Sequence, residues 1–353
     1  MIIHSRFKEY SVEIVNDFGF LEKIMLLENS EFVIDKNVYT LYHDLFANIP
    51  SDRLIIIEAT EATKVIDTAL NICEKMTDIP AKRNACLISI GGGIIQDITG
   101  FSANILYRGI KWVFIPTTLL AGCDSCIGGK TSLNYKRFKN LLGTFYPPDE
   151  IYICPKFFKT LTQKDFESGL GEVVKFNIMT GNDGLDYIEN NIQQLLNREG
   201  KSLTQCIEKC LAFKQEFIET DEFDKGERIK LNFAHTFGHG LETITNYAIP
   251  HGTAVAIGMI MANHISENRG MISHNTVLRS ENVLLQVIHI DHDLRTLDFD
   301  EYIRAIRKDK KQIGNQLTAV LMTNVPKDLR ILHDIQQSEI RNAIDYFCDL
   351  YYR

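Results

Sequence analysis

The chain has 353 residues, 45% apolar and 24% charged, with a formal net charge of −8 and a pI near 5.7. That length is enough for two hydrophobic cores, and the acidic balance excludes phosphate-backbone binding as the main task, because a nucleic-acid partner needs a broadly basic face. Eight cysteines are too sparse for a disulfide scaffold and fit a reducing compartment.

The opening stretch, MIIHSRFKEYSVEIV, carries charges throughout and has no signal-peptide pattern. The next elements are short β-rich runs, EFVID at 31–35, RLIIIE at 53–58, ACLISI at 85–90 and KWVFIP at 111–116, separated by longer helical patterns. Such alternation predicts a parallel sheet with helical crossovers, and ligands beyond the strand C-termini. Gly91, Gly92 and Gly93 follow the third run and open a helical pattern containing Asp97 and Gly100. Glycines there let backbone amides approach a pyrophosphate at a helix N-terminus; a tight strand-to-helix turn is the structural alternative.

CDSCIGGKT ends like a nucleoside-triphosphate loop, but the required earlier glycine is Asp124, which forbids that reading. What remains is a glycine-rich turn with an acid and a base, Asp124 and Lys130. Its CxxC, Cys123 and Cys126, has no second pair to complete a zinc ribbon. Tyr146-Pro147-Pro148 marks a join, giving an expected division at 1–150 and 151–353.

From about residue 155 the β-rich runs disappear, and 184–196 and 203–218 show helical periodicity; Cys206 and Cys210, one turn apart, read as packing. The second domain is expected to be mainly helical. In GERIKLNFAHTFGHGLE, Arg228, Asn232, His235 and His239 are spaced by four, three and four, which predicts one polar helical stripe. Gly238 and Gly240, disfavoured in a helix interior, imply a close approach there. A catalytic metal takes three ligands mixing imidazole and carboxylate, and the candidates are Glu172 in GLGEVVKF, with Lys175 one turn on, His235, and His251 ahead of GTAVAIGMIMA. The longest apolar run, 254–262, is about half a membrane span. No membrane partner is expected, and the cytoplasm is the expected setting.

Taken together, GGGIIQDITGF, RGIKWVFIPTTLLA, DSCIGGKT, KNLLGTFYPP, GLGEVVKF, LNFAHTFGHGLE, HGTAVAIGM and DKK, in this order over residues 58–311, resemble the 3-dehydroquinate synthases within the wider sugar-phosphate cyclases. The resemblance implies an α/β Rossmann-like N-terminal domain for NAD, a helical C-terminal metal domain, and an active site in the cleft between them. Glu172, His235 and His251 resemble the metal ligands, for Zn2+ first and Co2+ second. Glu61, Lys64, Gly91, Gly92, Gly93, Asp97, Thr117, Thr118, Lys130, Lys139 and the Phe158, Lys159, Thr160 turn resemble the NAD-contacting set. Asp124, Lys130, Asn140, Lys175, Lys214, Arg228, Asn232 and His239 resemble the substrate pocket, joined by Lys310 or Lys311 from the DKK segment.

The implied substrate is a small phosphorylated sugar acid, 3-deoxy-D-arabino-heptulosonate 7-phosphate. The implied steps are oxidation by NAD, phosphate elimination, reduction by the same NADH, ring opening and intramolecular aldol closure, which makes the enzyme a carbon-oxygen lyase of the shikimate pathway. The departing phosphate is a candidate base for its own elimination. A homodimer is the family expectation. This chain departs from the family pattern at Gln96 and Phe138, where glycine is usual, and at Ala59-Thr60-Glu61, which leaves room for a sister cyclase acting on sedoheptulose 7-phosphate. A metal-dependent polyol dehydrogenase and a silent binding protein are the other classes, although none of Glu172, His235 and His251 is missing.

Overall fold

The apolar runs of the first half form strands because their branched and aromatic side chains are buried on both faces of a sheet. The computed structural model describes residues 1–80, 82–136, 138–308 and 317–353. They divide into one unit of Met1–Leu161 with Ile218–Phe223, and another of Thr162–Phe217 with Asp224–Arg353.

In the first unit the strands are β1 (Ile2–His4), β2 (Glu9–Ile14), β3 (Ser30–Asp35), β4 (Leu54–Ile57), β5 (Cys86–Gly91), β6 (Lys111–Pro116), β7 (Lys130–Tyr135), β8 (Phe138–Phe145) and β9 (Glu150–Ile153). The helices are α1 (Phe20–Met25), α2 (Lys36–Leu41), α3 (His43–Phe46), α4 (Ile66–Met76) and α5 (Gly93–Ile105). A seven-stranded sheet runs β1-β2-β9-β6-β5-β3-β4. Every neighbouring pair except β1 with β2 is parallel. From β3 the chain steps outward to β4 and then returns to β5 on the other side, so the strand order reverses between β3 and β5. A crevice opens at such a reversal, outside the carboxyl ends of the strands. The hairpin of β7 and β8 forms a separate two-stranded sheet. It lies close on α5: a Cβ on Gly100 would stand 2.7 Å from Thr131 Cγ2.

The paired prolines lie inside this unit. The Trp112 indole donates to the Pro147 carbonyl at 3.0 Å, its backbone N–H donates to Asp149 at 3.0 Å, and β9 then pairs with β2 and β6. The sheet therefore continues past residue 150, and the unit ends at Leu161.

The second unit contains α6 (Gln163–Met179), α7 (Asn182–Leu196), α8 (Gly200–Thr220), α9 (His235–Ile244), α10 (His251–Asn268), α11 (His274–Leu284), α12 (Phe299–Lys308) and α13 (Gln337–Tyr351), with the last turn of α8 falling to the first unit. Helices α6 and α10 are buried around almost their whole circumference, which marks them as the core. One sequence expectation is corrected here: β-rich runs do not end near residue 155. An antiparallel pair, β10 (Leu317–Met322) and β11 (Leu329–Ile335), packs in this unit, and LTAVLM is buried at every position. Its lack of polar alternation hides it among helical runs. Among the described residues no helix is long and apolar enough to cross a membrane.

Candidate active site

Three backbone approaches build the centre of the second unit. A Cβ on Gly171 would stand 2.1 Å from the Gly252 carbonyl oxygen, and one on Gly252 would stand 1.7 Å from that of Ser168. Only glycine at both positions allows α6 and α10 to touch backbone to backbone. Glu172 and His251, the next residue after one glycine and the one before the other, are thereby drawn together. Gly258 does the same for α9, since its Cβ would meet the Ala234 carbonyl oxygen at 2.4 Å.

The result is a carboxylate facing two imidazoles. Glu172 Oε1 lies 3.6 Å from His235 Nε2 and 3.5 Å from His251 Nε2, and the three ligand atoms fall within 4.8 Å of one another. Glu172 is wholly buried. Each imidazole is oriented by its other nitrogen. His235 Nδ1 lies 3.0 Å from the Phe233 carbonyl, which can only accept, so the proton sits on Nδ1 and Nε2 offers its lone pair. His251 Nδ1 faces Glu242 Oε2 at 3.1 Å, the carboxylate–histidine arrangement that raises ligand basicity. Burial lowers the His251 imidazole, but the carboxylates of Glu242 and Glu172 outweigh it and push it up to about 10. A divalent cation would displace that proton. This donor set fits a cation that takes imidazole and carboxylate in tetrahedral geometry with one position open.

Sequence expectation and structure differ at the polar stripe. Arg228 and Asn232 are not on the helix of His235 and His239. They lie in a 3₁₀ stretch, Glu227–Asn232, and Ala234 then takes the left-handed conformation at φ 70° before α9 begins. The break has a use: it turns the Phe233 carbonyl toward His235. Asn232 spends its amide on the Ile229 carbonyl at 2.9 Å. His239 remains with the cluster, its ring 5.4 Å from His235 and 5.7 Å from His251. Lys175 pairs with Glu172. Lys175, Lys214 and Arg228 are 2%, 6% and 3% exposed, so three cations are buried in one unit of an acidic chain. Buried cations of this kind are retained where anions are bound or paired. Lys310 and Lys311 lie outside the described residues. Glu242, to which the sequence reading gave no role, was signalled by its position one turn beyond His239.

In the first unit, Asp35 and Gly91 are the last residues of β3 and β5, at the point where the strand order reverses, and Gly92 and Gly93 follow. Helix α5 begins at Gly93 with no side-chain cap, which leaves its first-turn amides as anion donors. Gly92 lies against Thr118, where a Cβ would be 2.9 Å from Cγ2, while over Gly93 the nearest neighbour of an added Cβ is Ser125 Oγ at 3.9 Å. The turn is thus tightly packed at Gly92 and open over Gly93. Asp35 ends β3 one residue beyond Ile34, whose partner is Ile90. Its carboxylate accepts from the Asn37 amide at 2.9 Å, and burial pushes its carboxyl above the usual range.

Several expected residues form one network on the hairpin side of α5. Lys64 Nζ lies 2.5 Å from Asp97 Oδ2 and donates to Asn140 Oδ1 at 2.7 Å. Ser132 donates to Asp97 through its amide at 3.1 Å and its hydroxyl at 3.0 Å. Asn134 donates to Glu61 Oε2 at 2.7 Å, and Lys139 stands 3.4 Å from Glu61. Burial raises the Asp97 carboxyl, with Lys64 and Ser132 opposing. Asn140, expected in the substrate pocket, thus lies in the same network as Lys64 and Asp97, together with Ser132 and Asn134. Asp124 sits in a wide π-helical turn, Ala121–Ser125; Lys130 is exposed at the start of β7. Thr117 is buried, and Thr118 Oγ1 accepts from the Ala121 amide at 3.2 Å. Phe158 is buried behind Gly122, Lys159 is exposed, and Thr160 shares a hydrogen bond with the Tyr42 hydroxyl at 2.9 Å. The Gln96 side chain, which is 3% exposed, reaches Ser125.

Comparison with known proteins bears on both halves. Residues 54–168 match the family model described as 3-dehydroquinate synthase N-terminal, and residues 169–312 match 3-dehydroquinate synthase C-terminal. A 3-dehydroquinate synthase of Clostridium tetani is 35% identical over 329 residues, covering 92% of this chain and 87% of that protein. One from Dichelobacter nodosus is 38% identical, covering 81% and 78%. Among solved structures, the 2-epi-5-epi-valiolone synthase of Streptomyces hygroscopicus subsp. jinggangensis 5008, with NAD+ and Zn2+ bound, superposes with a TM-score of 0.83 at 25% identity over 98% of this chain and 99% of that one.

Proposed function

The chain belongs to the 3-dehydroquinate synthase family, and we propose that it converts 3-deoxy-D-arabino-heptulosonate 7-phosphate to 3-dehydroquinate and phosphate, as an NAD- and metal-dependent carbon-oxygen lyase. The observation that carries this reading is the convergence of Glu172, His235 and His251, each imidazole held by its own hydrogen-bond partner. Those three residues hold one divalent cation, zinc before cobalt. The first-turn amides of α5, with Gly93, Asp97, Lys64, Lys139 and the neighbouring threonines, hold the dinucleotide. Asp35 takes a ribose hydroxyl, the usual task of a carboxylate at the end of the adjoining strand.

When bound, the cation supplies Lewis-acid polarisation of a hydroxyl oxygen, and the nicotinamide supplies reversible hydride transfer. The side chains do the rest. Lys175, Lys214 and Arg228 bind the carboxylate and phosphate of the substrate; low local dielectric strengthens each charge-assisted bond. Lys130, Asn140 and Asn232 orient its hydroxyls. His239, beside both metal-holding imidazoles, relays protons. Asp124 is the carboxylate available as a base. The enzyme works as a homodimer in the cytoplasm.

The test is phosphate release by the purified chain with NAD and zinc. Release from the heptulosonate phosphate, with none from sedoheptulose 7-phosphate and no net NADH, is expected. Release from sedoheptulose 7-phosphate alone would assign a sister cyclase, and accumulating NADH a polyol dehydrogenase; either result overturns the proposal.

A further inference from the structure

The π-helical turn Ala121–Ser125 carries Asp124, and its two ends are held differently. At the start, Ala121 donates to Thr118 Oγ1, and Gly122 donates to the Thr118 carbonyl at 3.0 Å. The turn closes with the wide bond from the Cys126 amide to the Ala121 carbonyl at 3.0 Å. Beyond it the chain leaves the helical path, and Gly128 takes φ 99°. The Ser125 carbonyl therefore needs a donor from outside the turn.

Gln96 supplies it. Its Nε2 donates to the Ser125 carbonyl at 2.7 Å, and the Ser125 hydroxyl donates back to Gln96 Oε1 at 2.6 Å. The amide orientation is fixed by chemistry: a backbone carbonyl only accepts, so the NH2 group must face it. Because the Ser125 hydroxyl proton is committed to Gln96, its oxygen presents lone pairs to the space above Gly93. Gln96 itself lies in the first turns of α5, next to Asp97. One buried side chain thus ties the turn that holds Asp124 to the helix whose N-terminus frames the proposed dinucleotide cradle.

We infer that Gln96 is a positioning residue for Asp124, acting through Ser125, an inference that rests on the reading of Asp124 as part of the substrate pocket. It does not bind NAD itself. The wide turn, a rare conformation found mostly as single turns, depends on this lock to keep one conformation.

Gln96→Met keeps the volume and removes both hydrogen bonds. The expected outcome is a fall in kcat of about tenfold, as for a misplaced catalytic group, with KM for the heptulosonate phosphate and the NADH dissociation constant, read by fluorescence, both within about twofold. Hydrogen exchange of the 121–126 amides is expected to accelerate, and Ser125→Ala combined with Gln96→Met is expected to be no worse than Gln96→Met alone. Unchanged kcat and exchange, or NADH binding weakened as much as kcat, would overturn the inference. Asp124→Asn separates the two claims: if it abolishes turnover while Gln96→Met is silent, only the lock fails; if Asp124→Asn is itself silent, the reading of Asp124 fails.

Discussion

Replacing Glu242 by glutamine tests whether a residue outside the ligand set governs the cation. Glu242 Oε2 lies 3.1 Å from His251 Nδ1, and its side chain is 13% exposed, so the contact is poorly screened. A glutamine oxygen can still accept from Nδ1 and preserve the tautomer, but the negative charge that makes His251 a stronger donor is gone. Loss of such an outer partner weakens metal affinity about 10–100-fold, which corresponds to roughly 1.4–2.8 kcal/mol. The assay is competition against a chromophoric chelator at pH 7.5, with far-ultraviolet circular dichroism confirming the fold. Glu242→Ala, which also frees the tautomer, is expected to fall at the weak end of that range. Affinity within twofold of the parent in both variants would refute the reasoning.

Gly252→Ala places a Cβ 1.7 Å from the Ser168 carbonyl oxygen; α6 and α10 must separate by more than ~1 Å, beyond the ~0.2 Å tolerance of metal–ligand distances. The expected result is lost metal retention together with a lower melting temperature. His235→Ala is expected to abolish metal binding and turnover together, whereas Lys130→Ala keeps the metal by elemental analysis and raises KM. Arg269 bonds Glu339 through Nε and Nη2, each at 2.7 Å, and Asp334 at 2.9 Å. This holds the Glu339 carboxyl below its ordinary value of 4.5. A depressed carboxyl stabilises the fold above its unfolded value and loses that contribution as pH falls through the folded value. Arg269→Met is therefore expected to lower stability by about 1–2 kcal/mol at pH 7. In urea titrations the gap should close as pH drops below the ordinary carboxyl value of 4.5.

Much of the first unit was legible because its signals are local. Strands β3 to β6 coincide with the apolar runs within a residue or two, and the glycine turn after β5 follows from strand, glycines and helix in order. The pairing of Lys64 with Asp97 and Asn140 was not legible, since it depends on how the β7–β8 hairpin lies on α5. In the second unit, spacing alone suggested a continuous helix through Arg228 and His239. It failed because one left-handed residue, Ala234, has no signature in composition, and alanine is the best helix former. The metal triad was a candidate set from its donor types and from the resemblance, not from periodicity, and what draws it together is readable after the fact: Gly171, Gly252 and Gly258 each stand where another backbone passes. Gln96 broke the family pattern in sequence, and the structure gives it a partner in Ser125.

The central claim is that Glu172, His235 and His251 ligate one cation, and X-ray absorption at the zinc edge of the zinc-loaded protein tests it most directly. The expected spectrum contains two imidazole shells with nitrogen at about 2.0–2.1 Å and otherwise only oxygen donors. Sulfur scattering near 2.3 Å, which would bring in Cys123 and Cys126, or a single imidazole, would contradict it.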